Sequence, residues 1–389
     1  MITQAAQILD VPETELQEFS VQDPYNDNKL EGYLCRRGDH RYGAVVITKV
    51  NEKEVIQRIF ATPKLHYPFT TNPHGERIFH WCNKKVKQAR VYEKLDGTNI
   101  CVYSYTDADG NRYVTAKTRL TPVLRQGSFG DFKSMWDTMQ QMYPEVINPQ
   151  MVLEGTVSLS FEMFGYRNPI LIGYKVPLEA RLLFAISQDT ASIVPGDVLF
   201  PTMASKLEPQ HKITNMGQMQ QVYDQLRADA EKANKHTEDG LVEGSEGFVF
   251  YLLDENDTWA MVKCKPADIE SIHWANESIH KNSIFTTCWN ALENVDISGL
   301  TIDFVKELLK EEFSDVQIGK AEQRIDRCVK EVTGIVKFRQ TIREEMDKVP
   351  KELNFKDHKR DIMRILSQSF KREDMKKVFT ALRAMGFTD

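Results

Sequence analysis

The residues best suited to chemistry lie in Tyr92-Glu93-Lys94-Leu95-Asp96-Gly97-Thr98-Asn99. A lysine stands between two apolar, β-branched runs, Ala89–Tyr92 and Ile100–Tyr105, which read as strands and place Lys94 at or beside a strand end. Gly97 lets the backbone turn sharply and come close to a ligand. A lysine held in such a place becomes a nucleophile once its proton is removed. A bare Lys-x-Asp-Gly also suits a surface hairpin with both charges solvated, so its meaning depends on the residues downstream of it.

Four later stretches supply what such a lysine needs. Phe161-Glu162-Met163-Phe164-Gly165 and Glu246-Gly247-Phe248-Val249-Phe250 each join an acid, an apolar strand and a glycine. Lys263-Cys264-Lys265 puts two lysines on one strand face, because side chains repeat every second residue. Leu182-Leu183-Phe184-Ala185-Ile186 is an apolar strand with an aromatic at its centre.

The elements that must position these residues are mostly strands. Alternating runs are expected at Val91–Tyr105, Tyr113–Lys117, Leu153–Met163, Ile170–Tyr174, Arg181–Ile186, Gly247–Leu252 and Trp259–Lys263. Asp107–Asn111 is a turn signal that pairs the first two as a hairpin. Helical patterns at Phe132–Met142 and Gln218–Asn234 interrupt them without a regular βαβ rhythm, which points to an α+β domain on antiparallel sheets. Upstream, residues 1–60 offer one strand-like patch, Tyr42–Thr48, after a basic cluster of Arg36, Arg37, His40 and Arg41 that reads as a solvated loop. Phe60–Phe69 is apolar and proline-punctuated, and should pack irregularly against the sheet.

After Pro266 the period becomes helical, with helices expected at Ser283–Asn294, Thr301–Glu312, Ile318–Lys348, Asp357–Phe370 and Arg372–Met385. Thr301 and Asp357 read as N-caps and Gly386 as a C-cap glycine. The expected division is residues 1–268, including an N-terminal extension of about 1–85, followed by an all-α domain over 269–389. That domain carries basic groups at Arg324, Arg327, Lys330, Lys337, Arg339 and Arg343, and again from His358 to Arg360 and at Lys371, Arg372, Lys376 and Lys377. Glu311, Glu312, Glu344 and Glu345 are interspersed, so the pattern fits both a phosphate grip and a solvated surface.

Composition narrows the classes. The 389 residues are 41% hydrophobic and 27% charged with net charge −6, so the chain is not a basic coat for nucleic acid; phosphates must be met by local clusters. No apolar run reaches membrane-spanning length, and the first residues lack a signal-peptide pattern. The six cysteines are scattered, with no Cys-x-x-Cys, which suits free thiols in a reducing, cytoplasmic setting.

In order, Lys-x-Asp-Gly, Phe-Glu-x-x-Gly, an aromatic strand, Glu-Gly-Phe-Val-Phe and Lys-x-Lys resemble the covalent nucleotidyltransferase superfamily of ATP-dependent ligases and mRNA capping enzymes. The likeness spans about Tyr92 to Lys265. Glu93–Asn99, with its downstream asparagine, and Phe161–Gly165 followed by Asn168-Pro169 resemble RNA ligases in particular. DNA ligases and capping enzymes carry an OB-fold barrel after the Lys-x-Lys strand, where this chain has helical sequence; they are the alternative enzyme reading. A silent RNA-end-binding protein of the same fold is the alternative of another class, and the intact Lys94, Glu162, Glu246, Lys263 and Lys265 argue against it.

The resemblance implies the roles. Lys94 would attack the α-phosphorus of ATP and become Lys–AMP. Lys263 and Lys265 would hold that phosphate and favour a neutral Lys94 amine. Glu246 with Asp96 would engage a divalent metal, Mg²⁺ or alternatively Mn²⁺. Glu162 would bond a ribose hydroxyl, Phe184 would stack on adenine, and Glu93 would read its amino group. Asn99 would contact the RNA 5′-phosphate. Of Lys117 and Arg119 in Ala116-Lys117-Thr118-Arg119, Arg119 is chosen as the further ribose contact. The partners would be RNA 5′-phosphate and 3′-hydroxyl ends, joined in RNA repair or end sealing.

Overall fold

The computed structural model describes residues 1–388 except 73–75, 125–131, 145–151, 169, 200–206, 238–240, 275–278, 280, 293–294, 311–312 and 314. The expected Pro169, Asn294, Glu311 and Glu312 lie outside the described residues.

The chain opens with α1 (Ile2–Leu9) and a four-stranded antiparallel meander, β1 (Leu16–Gln22), β2 (Lys29–Cys35), β3 (Val45–Val50) and β4 (Lys53–Ile59). Only the third strand is announced in the sequence, because β1 and β4 lie largely open to solvent and are mixed with polar and charged side chains. Within the expected N-terminal extension, residues 1–59 form a packed layer. Leu30, Leu34, Val45 and Ile47 bury against Tyr103 and Tyr105 of the main sheet. Buried Asp23 fastens the two layers, accepting from Tyr105 Oη at 2.7 Å and from Thr115 Oγ1 at 2.8 Å. Within the basic cluster, Arg41 is clipped to Asp39 at 2.6 Å and to the carbonyl of Leu9 at 3.1 Å; it is a structural strut, not a solvated charge.

An irregular stretch, Phe60 to Pro68, crosses the main sheet as expected and leads to a small hairpin of β5 (Phe69–Thr71) and β6 (Arg77–Phe79). The main body follows: β7 (Val86–Glu93), β8 (Thr98–Thr106), β9 (Arg112–Lys117), α2 (Phe132–Met142), β10 (Val157–Phe164), β11 (Glu179–Ser187), β12 (Ile193–Pro195), α3 (Gly196–Leu199), β13 (His211–Ile213), α4 (Met219–Ala233), the short pair β14 (Lys235–His236) and β15 (Val242–Glu243), β16 (Phe248–Asp254) and β17 (Trp259–Cys264). Nine of these strands form one antiparallel sheet in the order β13-β7-β16-β17-β12-β11-β10-β8-β9. Its halves meet at a seam, since β12 and β17 share a single residue pair, Ile193 with Trp259. Alternation explains the two faces of β10: Leu159, Phe161 and Met163 bury against α2, while Ser158, Ser160 and Glu162 point to the other side. The expected strand Ile170–Tyr174 is instead a loop with one isolated bridge, Ile172 to Val242.

The rest is helical, as expected: α5 (Ala267–Trp274), α6 (Lys281–Ala291), α7 (Ile302–Leu309), α8 (Asp315–Lys320), α9 (Glu322–Met346), α10 (Phe355–Leu366) and α11 (Met375–Ala384). Thr301 caps α7 by accepting from Phe304 N–H at 3.2 Å, and Gly386 takes the left-handed conformation. Asn354, three residues upstream of the expected Asp357, caps α10. The expected boundary at 268 falls inside α5, whose Ile269 is buried with Leu171, Ile172 and Val242 and whose Glu270 pairs with Arg227 of α4. Helix α5 thus packs with the 170–172 loop, β15 and α4. A separate core around Ile284, Cys288, Ile325 and Val332 begins beyond it. Arg339 of the basic group packs over the Trp289 ring at 5.8 Å, and burial, with Arg343 nearby, lowers its pKa to about 10.

Candidate active site

Antiparallel pairing brings the sequence motifs together. Strand β16 lies between β7 and β17, with Phe248 opposite both Glu93 and Cys264. The end of β7, the start of β16 and the end of β17 therefore share one edge, and Lys94, Glu246 and Lys265 stand just beyond it. Lys94 N–H donates to the Gly247 carbonyl at 2.8 Å. Gly247, at φ 126°, is required: a Cβ there would lie 2.1 Å from the Cys264 carbonyl oxygen.

Lys94 Nζ donates to Glu246 Oε2 at 2.5 Å, and Lys265 Nζ stands 3.0 Å from Oε1. Burial by itself would raise the Glu246 carboxyl; the two lysines outweigh it and hold the carboxyl at about 2. Lys263 lies one strand position away on the same face, its Nζ 4.5 Å from the centre of the Tyr67 ring.

Glu162 reaches the same edge from the other half of the sheet, paired with Asn99 across β8. Burial raises its carboxyl to about 7 against the pull of Lys94 and Arg119. Glu93, at the last position of β7, is also raised by burial. Asp96 is 7% exposed, and its Oδ2 accepts from Leu171 and Ile172 N–H at 2.6 and 2.7 Å. Burial and then Glu246 raise Asp96 to about 6, opposed by those two hydrogen bonds. One of its oxygens is thus committed to pinning the 170–174 loop, which the sequence pattern presents as a strand.

Asn99 is partly committed within the protein. Its Nδ2 donates to Ser160 Oγ and to the Phe161 carbonyl, both at 3.0 Å, leaving Oδ1 buried without a partner among the described residues. Turning the amide over would set two acceptors against each other at Phe161. The atom left over is an acceptor, which suits a hydroxyl and not a phosphate oxygen.

Burial separates Lys117 from Arg119. Lys117 is fully buried and donates to the carbonyls of Thr118 and Arg119, both at 2.9 Å; burial lowers its pKa to about 8. Arg119 reaches the site, its guanidinium 5.9 Å from the centre of the Tyr42 ring.

Two adjoining cavities share Leu65, Lys94, Leu95, Asn99, Arg119 and Glu162. The smaller, about 70 Å³, is an apolar slot beneath Glu93, lined by Phe184, Tyr92, Tyr251, Val249, Met261 and Leu65. A bulge opposite Ser160 and Phe161 leaves Leu183 out of register, so Leu183 and Phe184 both reach the slot. The larger, about 300 Å³, adds Asp96, Glu246, Lys263 and Lys265, and its far wall is made by α6 and α7. Sequence reasoning missed Tyr42, Lys64 and Leu65 of the N-terminal segment, and Ser283, Thr286, Thr287 and Asn290 of α6, all of which line this cavity. No motif marks them; the last four are legible only as a polar row at helical spacing.

The family model for RNA ligases matches residues 87–265, from the second residue of β7 to Lys265. This segment is similar to RNA ligase domains. A comparison with curated proteins gave no match. Among solved structures, the ligase domain with its flanking regions is similar to an archaeal ATP-dependent RNA ligase, with 14% identity, a TM-score of 0.47 and coverage of 88% of this chain and 82% of that one. An Aquifex aeolicus protein described as a putative ATP-dependent DNA ligase shows 14% identity and a TM-score of 0.44 over 92% and 86% of the two chains. A Naegleria gruberi RNA ligase variant, solved with ATP and Mn, shows 17% identity and a TM-score of 0.31 over 48% and 52%.

Beyond Lys265 the described elements are all helices, and none of the described helices is long and apolar enough to cross a membrane.

Proposed function

We propose that this chain is an ATP-dependent RNA ligase that joins a 5′-phosphate to a 3′-hydroxyl through a covalent Lys94–AMP. The observation that carries the reading is the Lys94–Glu246–Lys265 cluster, set beside an aromatic slot within the segment that matches the RNA ligase family.

In the first step Lys94 Nζ, having given one proton to solvent, forms a bond to the α-phosphorus of ATP as the bond to pyrophosphate breaks, and a second proton leaves the nitrogen as the lysyl-AMP forms. In the second, a 5′-phosphate oxygen of RNA attacks the same phosphorus, the N–P bond breaks and Lys94 is restored. In the third, a 3′-hydroxyl attacks the activated 5′-phosphate, loses its proton and expels AMP. Such transfers are governed by positioning and neutralised charge. Lys263 and Lys265 supply fixed positive charge beside Lys94, and Arg119 adds another at the rim. The slot takes the adenine against Phe184, and Glu93 at its edge accepts from the amino group. Glu162, at about 7, can donate or accept toward a ribose hydroxyl near neutral pH.

A divalent ion fits the donor chemistry. Glu246 stays ionised, and Asp96 keeps Oδ1 beyond its two backbone contacts. Among the described residues no group of three or more His, Cys, Asp or Glu could hold a metal. Mg²⁺ or Mn²⁺ here would take most ligands from phosphate and water, and would supply neutralisation of phosphate charge. The biological setting consistent with the reaction is repair or sealing of RNA ends in a reducing compartment, where the free thiols persist.

The test is peptide mass spectrometry after incubation with ATP and a divalent ion, with GTP in parallel, followed by offering RNA or DNA ends. AMP on Lys94 and joining of RNA are expected. AMP on another lysine, GMP in its place, or preference for DNA ends would overturn the reading.

A further inference from the structure

Helix α6 has two chemically different faces. Ile284, Cys288 and Ala291 are buried in the helical core, while Ser283, Thr286, Thr287 and Asn290 follow one another at helical spacing and line the larger cavity. A face that merely packed against the ligase domain would be apolar. This one carries hydroxyls and an amide and no charge; the Thr287 hydroxyl donates to the Ser283 carbonyl at 2.9 Å and keeps its acceptor capacity. The opposite wall holds Lys94, Lys263, Lys265 and Arg119, interspersed with the carboxylates of Asp96, Glu162 and Glu246. On that side too, Asn99, 7% exposed, has an acceptor oxygen that no donor among the described residues reaches.

A ligand between such walls turns its anionic side to the lysines and its neutral hydroxyls to α6 and Asn99. The adenylate base has the smaller slot, so the larger cavity is left for the nucleotide at the RNA end. Ribose differs from deoxyribose by a 2′-hydroxyl that both donates and accepts, and neutral polar side chains are what read it. We infer that the α6 row of Thr286, Thr287 and Asn290 binds the sugar of the terminal RNA nucleotide and sets the preference for RNA over DNA ends. This rests on the ligase reading above.

The experiment compares wild type with Thr286→Val/Asn290→Ala in three assays: Lys–AMP formation from ATP, joining of pre-adenylylated RNA, and joining of pre-adenylylated DNA of the same sequence. Thr286→Ser, which keeps the hydroxyl, is the conservative control, and circular dichroism confirms the fold. The double variant should lose RNA joining about tenfold, the low end of what one lost contact of this kind costs, while DNA joining changes less. The RNA-to-DNA ratio therefore falls, and Thr286→Ser keeps it at the wild-type value. An unchanged ratio, or a loss that falls on Lys–AMP formation and not on joining, overturns the inference and would place α6 against the ATP phosphates. Failure of wild type to form Lys–AMP or to join RNA would instead overturn the ligase reading, so the two failures are told apart.

Discussion

Lys94 is bound to the Glu246–Gly247 corner twice: its backbone N–H meets the Gly247 carbonyl at 2.8 Å, and its Nζ meets the Glu246 carboxylate at 2.5 Å. Nucleophile and counter-ion therefore sit in one frame, and the same carboxylate also holds Lys265. Glu246→Gln removes the charge that both lysines share. Single-turnover Lys–AMP formation should fall about 100-fold, on the scale of losing one preorganised electrostatic group. A change smaller than about threefold, well short of that scale, would mean that Glu246 only packs.

Lys263 and Lys265 should not be equivalent. Lys265 is ion-paired at the centre of the cluster, whereas Lys263 lies over the Tyr67 ring. Lys265→Ala should slow Lys–AMP formation more than Lys263→Ala does. Lys265→Arg should not restore it, because a planar fork replaces a compact ammonium. Equal rates in the two alanine variants, measured under identical single-turnover conditions, would count against this ordering.

Lys117 and Arg119 should separate stability from chemistry. Lys117→Met leaves the buried carbonyls of Thr118 and Arg119 without their donor, at a cost of about 2 kcal/mol in urea unfolding. Arg119→Ala should barely move the urea midpoint yet lower Lys–AMP formation. The opposite pattern would return the site role to Lys117.

Glu162 gives a pH signature. Its folded value of about 7 lies above the ordinary 4.5, so between those values the folded chain holds a proton that the unfolded chain has lost. Stability contributed by the neutral form is complete below about 4.5 and is lost as pH rises through about 7. Glu162→Gln should therefore melt like wild type at about pH 4.5 and higher than wild type at about pH 8. Parallel melting curves across that range would sink the assignment.

The domain boundary is testable by length. A chain ending at Asp268 loses buried Ile269 and the Arg227–Glu270 pair, whereas one ending at Trp274 keeps α5. The longer truncation should be the more stable by urea unfolding. Both should join RNA poorly, since each lacks the α6 wall of the cavity. Equal stability would place the boundary at 268 after all.

The site is legible in the sequence where chemistry is concentrated in short motifs. Lys94, Glu246 and Lys265 each stand beside a strand whose apolar run is plain, and antiparallel pairing carries them to one edge. Asn99 resists such a reading because its role depends on Ser160 and the Phe161 carbonyl, distant partners that fix which end of the amide faces outward. The Ile170–Tyr174 run looks like a strand because it is apolar, but the backbone donors of Leu171 and Ile172 are spent on Asp96. The meander β1–β4 stays hidden because two of its strands turn polar side chains to water. The α6 row carries no motif, and only the docking of the helical region makes it part of a cavity.

The seam in the large sheet has a mechanical consequence. Lys94 belongs to the half built on β7, β16 and β17, while Phe184 belongs to the half built on β11, and only Ile193 and Trp259 pair across the join. A nucleotide bonded to Lys94 with its base against Phe184 would span both halves like a keystone. The adenylylated chain would then be the stiffer, more slowly unfolding form, and the release of AMP would loosen the same joint that its arrival had tightened.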